Sequence, residues 1–210
     1  MKTHRVWLAK VDRDIAEMID YLQDPQILDR VLSTNQLLSS DGKHQWQHYL
    51  WVNEEHKMPK TIQWAEGNGF IIRNIKDLNE DQFVLDYIYD MIQNDEIVQS
   101  TDLIRGAILK QEGGMYLDLD VWLEKWDNRV LYISDFIVQK DFKWYKVLLP
   151  NGDFIMSRNH HPIIEGYFKS FKSQFNQKSQ IQDIHSQNKN LIQFKPCFLE
   201  KRRWPIQLYS

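Results

Sequence analysis

Asp118 and Asp120 stand one residue apart after a short apolar run and a double glycine, and no other residues in the chain are better placed to do chemistry. The segment around them, Ser100 to Trp122, reads STDLIRGAILKQEGGMYLDLDVW. Taken as a strand, Met115 to Leu123 alternates strictly. Met115, Leu117, Leu119 and Val121 point one way, and Tyr116, Asp118, Asp120 and Trp122 the other. By the rise of a strand the two carboxylates then lie about 7 Å apart on one face. Bare carboxylates so placed repel and are costly to desolvate. A hard divalent cation relieves both problems. Two carboxylates leave most of an octahedral shell to water and substrate phosphates, the arrangement Mg²⁺ or Mn²⁺ prefers.

Upstream, Asp102 and Arg105 are three residues apart on a predicted helix, so both project from one face. Gly113-Gly114 lets the chain leave that helix in a left-handed conformation and pass close to a ligand. Each feature alone has a plainer explanation: a solvated strand end, a helix cap, a surface ion pair. Their coincidence within 23 residues, with the aspartates inside an apolar strand, reads as a holder for a metal diphosphate.

The elements that must position these residues follow from periodicity. Residues 1 to about 42 read as helical, with Ile15, Met18, Ile19 and Leu22 on one stripe. After an Asp24 N-cap and Pro25, Ile27, Leu28, Val31 and Leu32 form a second stripe. This predicts an N-terminal helical hairpin, a subdomain over 1–44, packed on a main domain over 45–210. His48 to Val52 is a first strand, Lys57 to Glu66 contains a short helix, and Phe70 to Ile72 is a second strand. Helices are predicted over 79–93 and 100–110. Strands follow over 115–123, 131–138 and 145–157, the last around an Asn151-Gly152 hairpin turn. His161-Pro162 opens a helix, and 172–190, rich in Gln, Ser, Asn and Lys, reads as a loop or arm. Strands alternating with helices give an α/β layer architecture.

Composition narrows the function classes. The 210 residues are 42% apolar and 13% aromatic, enough for a core. A net charge of −3 argues against a nucleic-acid partner. The single cysteine, Cys197, excludes internal disulfides and fits a reducing compartment. No apolar run has the length of a transmembrane helix, and Met1 to Ala9 lacks the pattern of a signal peptide. The expectation is a cytoplasmic chain, or an effector secreted without a classical signal peptide.

The central segment resembles the signature of DXD-containing GT-A glycosyltransferases, the group joining yeast-type initiating mannosyltransferases to the glucosylating domains of large clostridial toxins. Their Ser-Asp-x-x-Arg helix and Gly-Gly-x-Tyr-x-Asp-x-Asp run stand here as Thr101-Asp102-Leu103-Ile104-Arg105 and Gly113-Gly114-Met115-Tyr116-Leu117-Asp118-Leu119-Asp120. Only the serine differs. Weaker similarity extends it over roughly 47–170. Tyr49 to Asn53 resembles the family's first strand, without the glycines that usually end it, and Gly152 to Ser157 with His161-Pro162 resembles the strand and helix after the metal motif.

The resemblance implies a GT-A-type, Rossmann-like mixed sheet flanked by helices. It further implies Asp120 on the metal and Asp118 on ribose or a metal-bound water, with Mn²⁺ or Mg²⁺ as cofactor. Trp51, beside Val52, would stack on the base, Tyr116 would pack near the donor, and Asp102 and Arg105 would hold sugar hydroxyls or diphosphate. Trp204 in the basic tail is a candidate to close over the donor. The implied reaction moves a hexose or related sugar from a nucleotide-diphosphate sugar, UDP-linked by analogy, to a protein or glycan acceptor with retention of configuration. Two rivals remain: a nucleotide-sugar-binding protein without turnover, and a metal-dependent phosphoryl-transfer enzyme, since Asp-x-Asp pairs also serve that chemistry.

Overall fold

The computed structural model describes residues 1–187 apart from 11–12, 23, 25, 41 and 142–148. Cys197 and Trp204 lie outside the described residues. No helix among those described is long and apolar enough to cross a membrane.

Among the described residues six strands form one mixed sheet: β1 (Lys2–Trp7), β2 (Gln47–Val52), β3 (Phe70–Asn74), β4 (Gly114–Leu117), β5 (Phe136–Asp141) and β6 (Leu149–Ser157). Their order across the sheet is β3-β2-β1-β4-β6-β5. β1 runs parallel to β2 and β4, β2 runs parallel to β3, and β6 is antiparallel to both β4 and β5. The helices are α1 (Met18–Tyr21), α2 (Gln26–Ser39), α3 (Pro59–Gly67), α4 (Gln82–Gln93), α5 (Ile97–Glu112), α6 (Val130–Ile133) and α7 (Pro162–Gln187). Asp24 Oδ1 accepts from the Gln26 N–H, the expected cap of α2. Val31 of α2 and Ala65 of α3 join Leu50, Val52 and Phe70 in a core on one sheet face. α5 packs against β1, β4 and β6, with Leu103, Ile104, Ala107 and Ile108 buried.

The reading of residues 1–42 as helical fails at its start. Lys2–Trp7 is a strand at the centre of the sheet, so no helical subdomain over 1–44 stands apart. Met1–Lys169 forms one compact unit and Ser170–Ser210 a second. The physical reason lies in β1's composition. A strand buried on both faces normally reads as an apolar run, yet β1 buries Thr3, His4 and Arg5. Each is held by specific partners, although Arg5 Nε has no hydrogen-bond partner among the described residues. Thr3 Oγ1 lies 2.8 Å from His48 Nδ1, and Arg5 donates to the carbonyls of Asp118 and Val121. The Trp51 indole N–H donates to His4 Nδ1 at 3.1 Å, so Nε2 carries the proton and donates to the Gly113 carbonyl at 2.9 Å.

His4 is therefore held neutral. Burial pushes its pKa down to about 4, against an opposing pull from the Gly113 carbonyl. The unfolded chain takes up this proton near pH 6.5 and the folded chain only near 4, so stability falls as pH drops through that window. The full effect is roughly 3 kcal/mol. His48, also lowered to about 4 by burial, acts in the same direction. Denaturant midpoints at pH 7 and pH 4.5 should separate clearly, and His4→Gln should shrink that separation while lowering stability at pH 7. An unchanged pH dependence in the variant would clear His4 of this role.

Three further differences are local. Residues 131–133 of the expected strand belong to α6 instead, and β5 starts at Phe136. Asn151-Gly152 sits inside β6 and not at a hairpin turn. The stretch from 172 continues as α7 to Gln187, because Gln and Lys, though polar, are good helix formers.

Candidate active site

The chain runs outward from β1 through β2 to β3, then returns to place β4 on the other side of β1. In open α/β sheets ligands gather outside the carboxyl ends of the strands at such a reversal. A cavity of about 370 Å³ opens there. Val6, Trp7 and Leu8 line it from the end of β1, Asp102 and Arg105 from α5, Tyr116, Asp118 and Asp120 from β4 and the turn after it, and Asp153 from β6.

Two chemically distinct groups of residues line the cavity. In the first, Trp7, half-buried, meets Tyr21 edge-on with ring centroids 5.8 Å apart. The segment after β1 holds this group in place. The Trp7 indole N–H donates to the Ala16 carbonyl at 2.8 Å. Asn53 clasps Ala9 through both its amide atoms, accepting from the Ala9 N–H at 2.8 Å and donating to the Ala9 carbonyl at 2.9 Å. Glu17 accepts from the Lys60 and Thr61 N–H groups and the Thr61 hydroxyl at the start of α3. Burial pushes its carboxyl up, but these hydrogen bonds prevail and hold it below its ordinary value.

Carboxylates dominate the second group: Asp102, Asp118, Asp120 and Asp153. β4 stops at Leu117, because the Val121 N–H turns back to the Asp118 carbonyl at 3.1 Å and Arg5 donates to that same oxygen. The alternation expected through Leu123 therefore breaks at Asp118. Both aspartates reach one cavity through a turn and not along one strand face. Asp118 is tied at both oxygens: the Tyr116 hydroxyl donates to Oδ1 at 2.6 Å, and Arg105 Nη1 lies 3.9 Å from Oδ2. Burial pushes the Asp118 carboxyl up to about 6. Asp153 adds to the rise, and Tyr116 and Arg105 oppose it. Burial also raises Asp102, despite its ion pair with Arg105. Asp120 is exposed and makes no hydrogen bond or ion pair among the described residues.

The double glycine serves packing and not a ligand. Gly113 (φ 63°) and Gly114 (φ 97°) take left-handed conformations. A side chain on Gly113 would stand 2.6 Å from the Asn159 nitrogen, and one on Gly114 2.6 Å from the Lys2 carbonyl. Gly114 lets β4 dock closely beside β1, and Gly113 lets the chain pass the backbone at the end of β6.

Five of the seven expected site residues, Asp102, Arg105, Tyr116, Asp118 and Asp120, thus line one cavity. Trp51 and Val52 do not. Trp51 is 0% exposed, its ring covered by Arg73 with the guanidinium 5.4 Å from the centroid, and Val52 belongs to the core on the opposite sheet face. Their strand is the second of the sheet's parallel half, one place away from the reversal. Trp7, Tyr21 and Asp153 escaped the sequence reading. Val6-Trp7-Leu8 carries the same aromatic and β-branched signal as Leu50-Trp51-Val52, but the polar residues before it masked the strand.

A sequence profile of the family described as glycosyltransferase sugar-binding region containing DXD motif matches residues 29–142. Cytotoxin-L of Paraclostridium sordellii is 25% identical over 127 residues, in a match that covers 56% of this chain and 5% of the toxin. The chain thus spans a small fraction of that relative. Among solved structures, one named PaToxG Glycosyltransferase aligns with a TM-score of 0.55 at 16% identity, covering 78% of this chain and 57% of that one. Another, Structure of Transferase, aligns at 0.49 and 14% identity, covering 77% of this chain and 74% of that one. The six-stranded mixed sheet flanked by helices is a GT-A-type fold.

Proposed function

Because the chain belongs to the family of glycosyltransferase sugar-binding regions containing a DXD motif, we propose that it moves a hexose or related sugar from a nucleotide-diphosphate sugar to a protein or glycan acceptor. The observation that carries this reading is one cavity lined both by the Trp7 ring and by the charges of Asp118, Asp120 and Arg105. A nucleotide sugar brings the matching parts, a base, a diphosphate and a hexose. UDP-sugars come first among donors by analogy with the DXD-containing GT-A glycosyltransferases that the sequence resembles.

Asp118 and Asp120 would hold a divalent cation. No cluster of three or more His, Cys, Asp or Glu side chains among the described residues is arranged to cage a metal. The donor set therefore suits an ion that keeps water and phosphate oxygens in its shell, as Mg²⁺ and Mn²⁺ do. The crowding of Asp118 by Asp153, which helps push its carboxyl up, fits the same purpose, since a cation offsets that repulsion. When bound, such an ion supplies Lewis-acid stabilisation of the departing diphosphate.

The protein's own groups do the positioning. Asp102 fixes the Arg105 guanidinium, and Arg105 directs its remaining N–H groups at sugar or diphosphate oxygens. Tyr116 fixes the Asp118 carboxylate through its hydroxyl. Retention of anomeric configuration follows the family likeness, and the acceptor hydroxyl or amide enters from the sugar end.

Nucleoside diphosphate release from a nucleotide-sugar panel, with Mn²⁺ and with EDTA, tests the reading. The expected result is metal-dependent hydrolysis of one or more UDP-sugars, rising when an acceptor is supplied. Tight UDP binding without turnover would identify a binding protein. Cleavage of simple phosphate esters without sugar release would identify a phosphoryl-transfer enzyme.

A further inference from the structure

β6 carries an irregularity beside the cavity. Across from it, β5 pairs Val138 with Ile155 but the next residue, Gln139, with Asn151, so Gly152, Asp153 and Phe154 have no β5 partner. Bulges of this kind re-aim side chains next to active sites. Here the bulge directs Asp153 into the cavity and brings the Gly152 backbone against Arg105. A methyl group on Gly152 would overlap Cζ and Nη2 of Arg105 and stand 2.7 Å from Nη1.

The guanidinium has little other room. Its side chain is 16% exposed, paired with Asp102, 3.9 Å from Asp118 and 5.8 Å from the centre of the Tyr116 ring. The conformation of Gly152 is not left-handed, since its φ is not positive, so alanine meets no backbone strain there. What glycine supplies is the space a side chain would fill. The atoms in conflict are at the end of a flexible side chain, so an added methyl is relieved by moving the guanidinium and not the sheet.

We propose that Gly152 is the positioning residue for Arg105, its missing side chain forming the seat that holds the guanidinium between Asp102 and Asp118. Its catalytic consequence rests on the donor-binding role given to Arg105 above; the seat itself does not. Gly152→Ala should keep the fold and lose the work of an arginine nearly fifty residues earlier in the chain.

The test is a double-mutant cycle on wild type, Gly152→Ala, Arg105→Ala and the double variant. It reads kcat and KM for Mn²⁺-dependent UDP-glucose hydrolysis, the melting temperature, and a crystal structure of Gly152→Ala. The expected result is a loss of about tenfold or more in kcat/KM for Gly152→Ala, the size of a lost charge-assisted contact. It should divide between kcat and KM as the Arg105→Ala loss does, with little change in melting temperature. The double variant should be no worse than Arg105→Ala alone. Gly166→Ala, where a methyl group meets no atom within 4 Å, is the control and should match wild type. Unaltered kinetics in Gly152→Ala, losses that multiply in the double variant, or a collapsed melting temperature would each overturn the inference. If wild type itself hydrolyses no nucleotide sugar, the proposed function fails, and the crystal structure still decides the seat. A guanidinium displaced from Asp102 supports it, and one left in place overturns it.

Discussion

Asp120→Asn should abolish sugar transfer while leaving the melting temperature essentially unchanged. The two halves of this expectation have different causes. Asp120 is exposed and has no hydrogen-bond or ion-pair partner among the described residues, and it is the weakest of the three groups that favour the buried Arg5 charge, so it contributes little to folding. Substitutions at such surface positions usually stay within about 0.5 kcal/mol. Its proposed task is to hold the cation that stabilises the leaving diphosphate. Losing several kcal/mol of transition-state stabilisation lowers the rate by about a thousandfold or more.

Asp118→Asn provides the contrast. That carboxyl is crowded by Asp153 and raised by burial, yet tied to Tyr116 and Arg105, so removing its charge should change both stability and activity. Turnover at saturating UDP-sugar and Mn²⁺ affinity in the presence of UDP, measured on both variants beside their melting curves, check the pair. An Asp120→Asn enzyme with full turnover would remove the metal role from this residue.

The chemistry of α5 and the start of β4 was legible because it is written locally. Asp102 and Arg105 needed only helical spacing to meet, and they do. The two aspartates also reach one cavity, though the strand geometry invoked for them was wrong. The chain turns at Asp118 because Arg5, 113 residues earlier, donates to its carbonyl, and no local pattern announces a partner so distant. The same limit hid β1. Its buried Thr3, His4 and Arg5 look like surface residues until His48, Trp51, Gly113 and the carbonyls after β4 are known to surround them. Asn151-Gly152 is the reverse case. The dipeptide is a strong turn signal, but here the glycine is needed for space beside Arg105 and the chain runs on through β6.

Sheet order decides between the two tryptophans, and an experiment on both should show it. Trp51 is fully buried, its N–H spent on His4 and its ring beneath Arg73. Trp51→Ala should cost about 3–5 kcal/mol of stability through the cavity it leaves. In a chain of this size that lowers the melting temperature by roughly 10 °C. UDP affinity per folded molecule should not change, since the ring has no accessible face.

Trp7 ends β1 at the reversal of strand order, half-buried on the wall of the cavity. Ring stacking on a base is worth roughly 1–3 kcal/mol in single-stranded nucleic-acid binders, so Trp7→Ala should weaken UDP by about tenfold to a hundredfold. Trp7→Phe should recover most of that affinity, because a smaller ring still presents a face, and should give up only the bond to the Ala16 carbonyl. Calorimetric titration of UDP with Mn²⁺ and thermal melting on the same variants separate the two residues. If Trp51→Ala weakens UDP per folded molecule as much as Trp7→Ala does, the base lies over β2 after all. If neither variant changes UDP affinity, the base does not stack on tryptophan in this protein, and the Trp7 wall of the cavity must hold some other group.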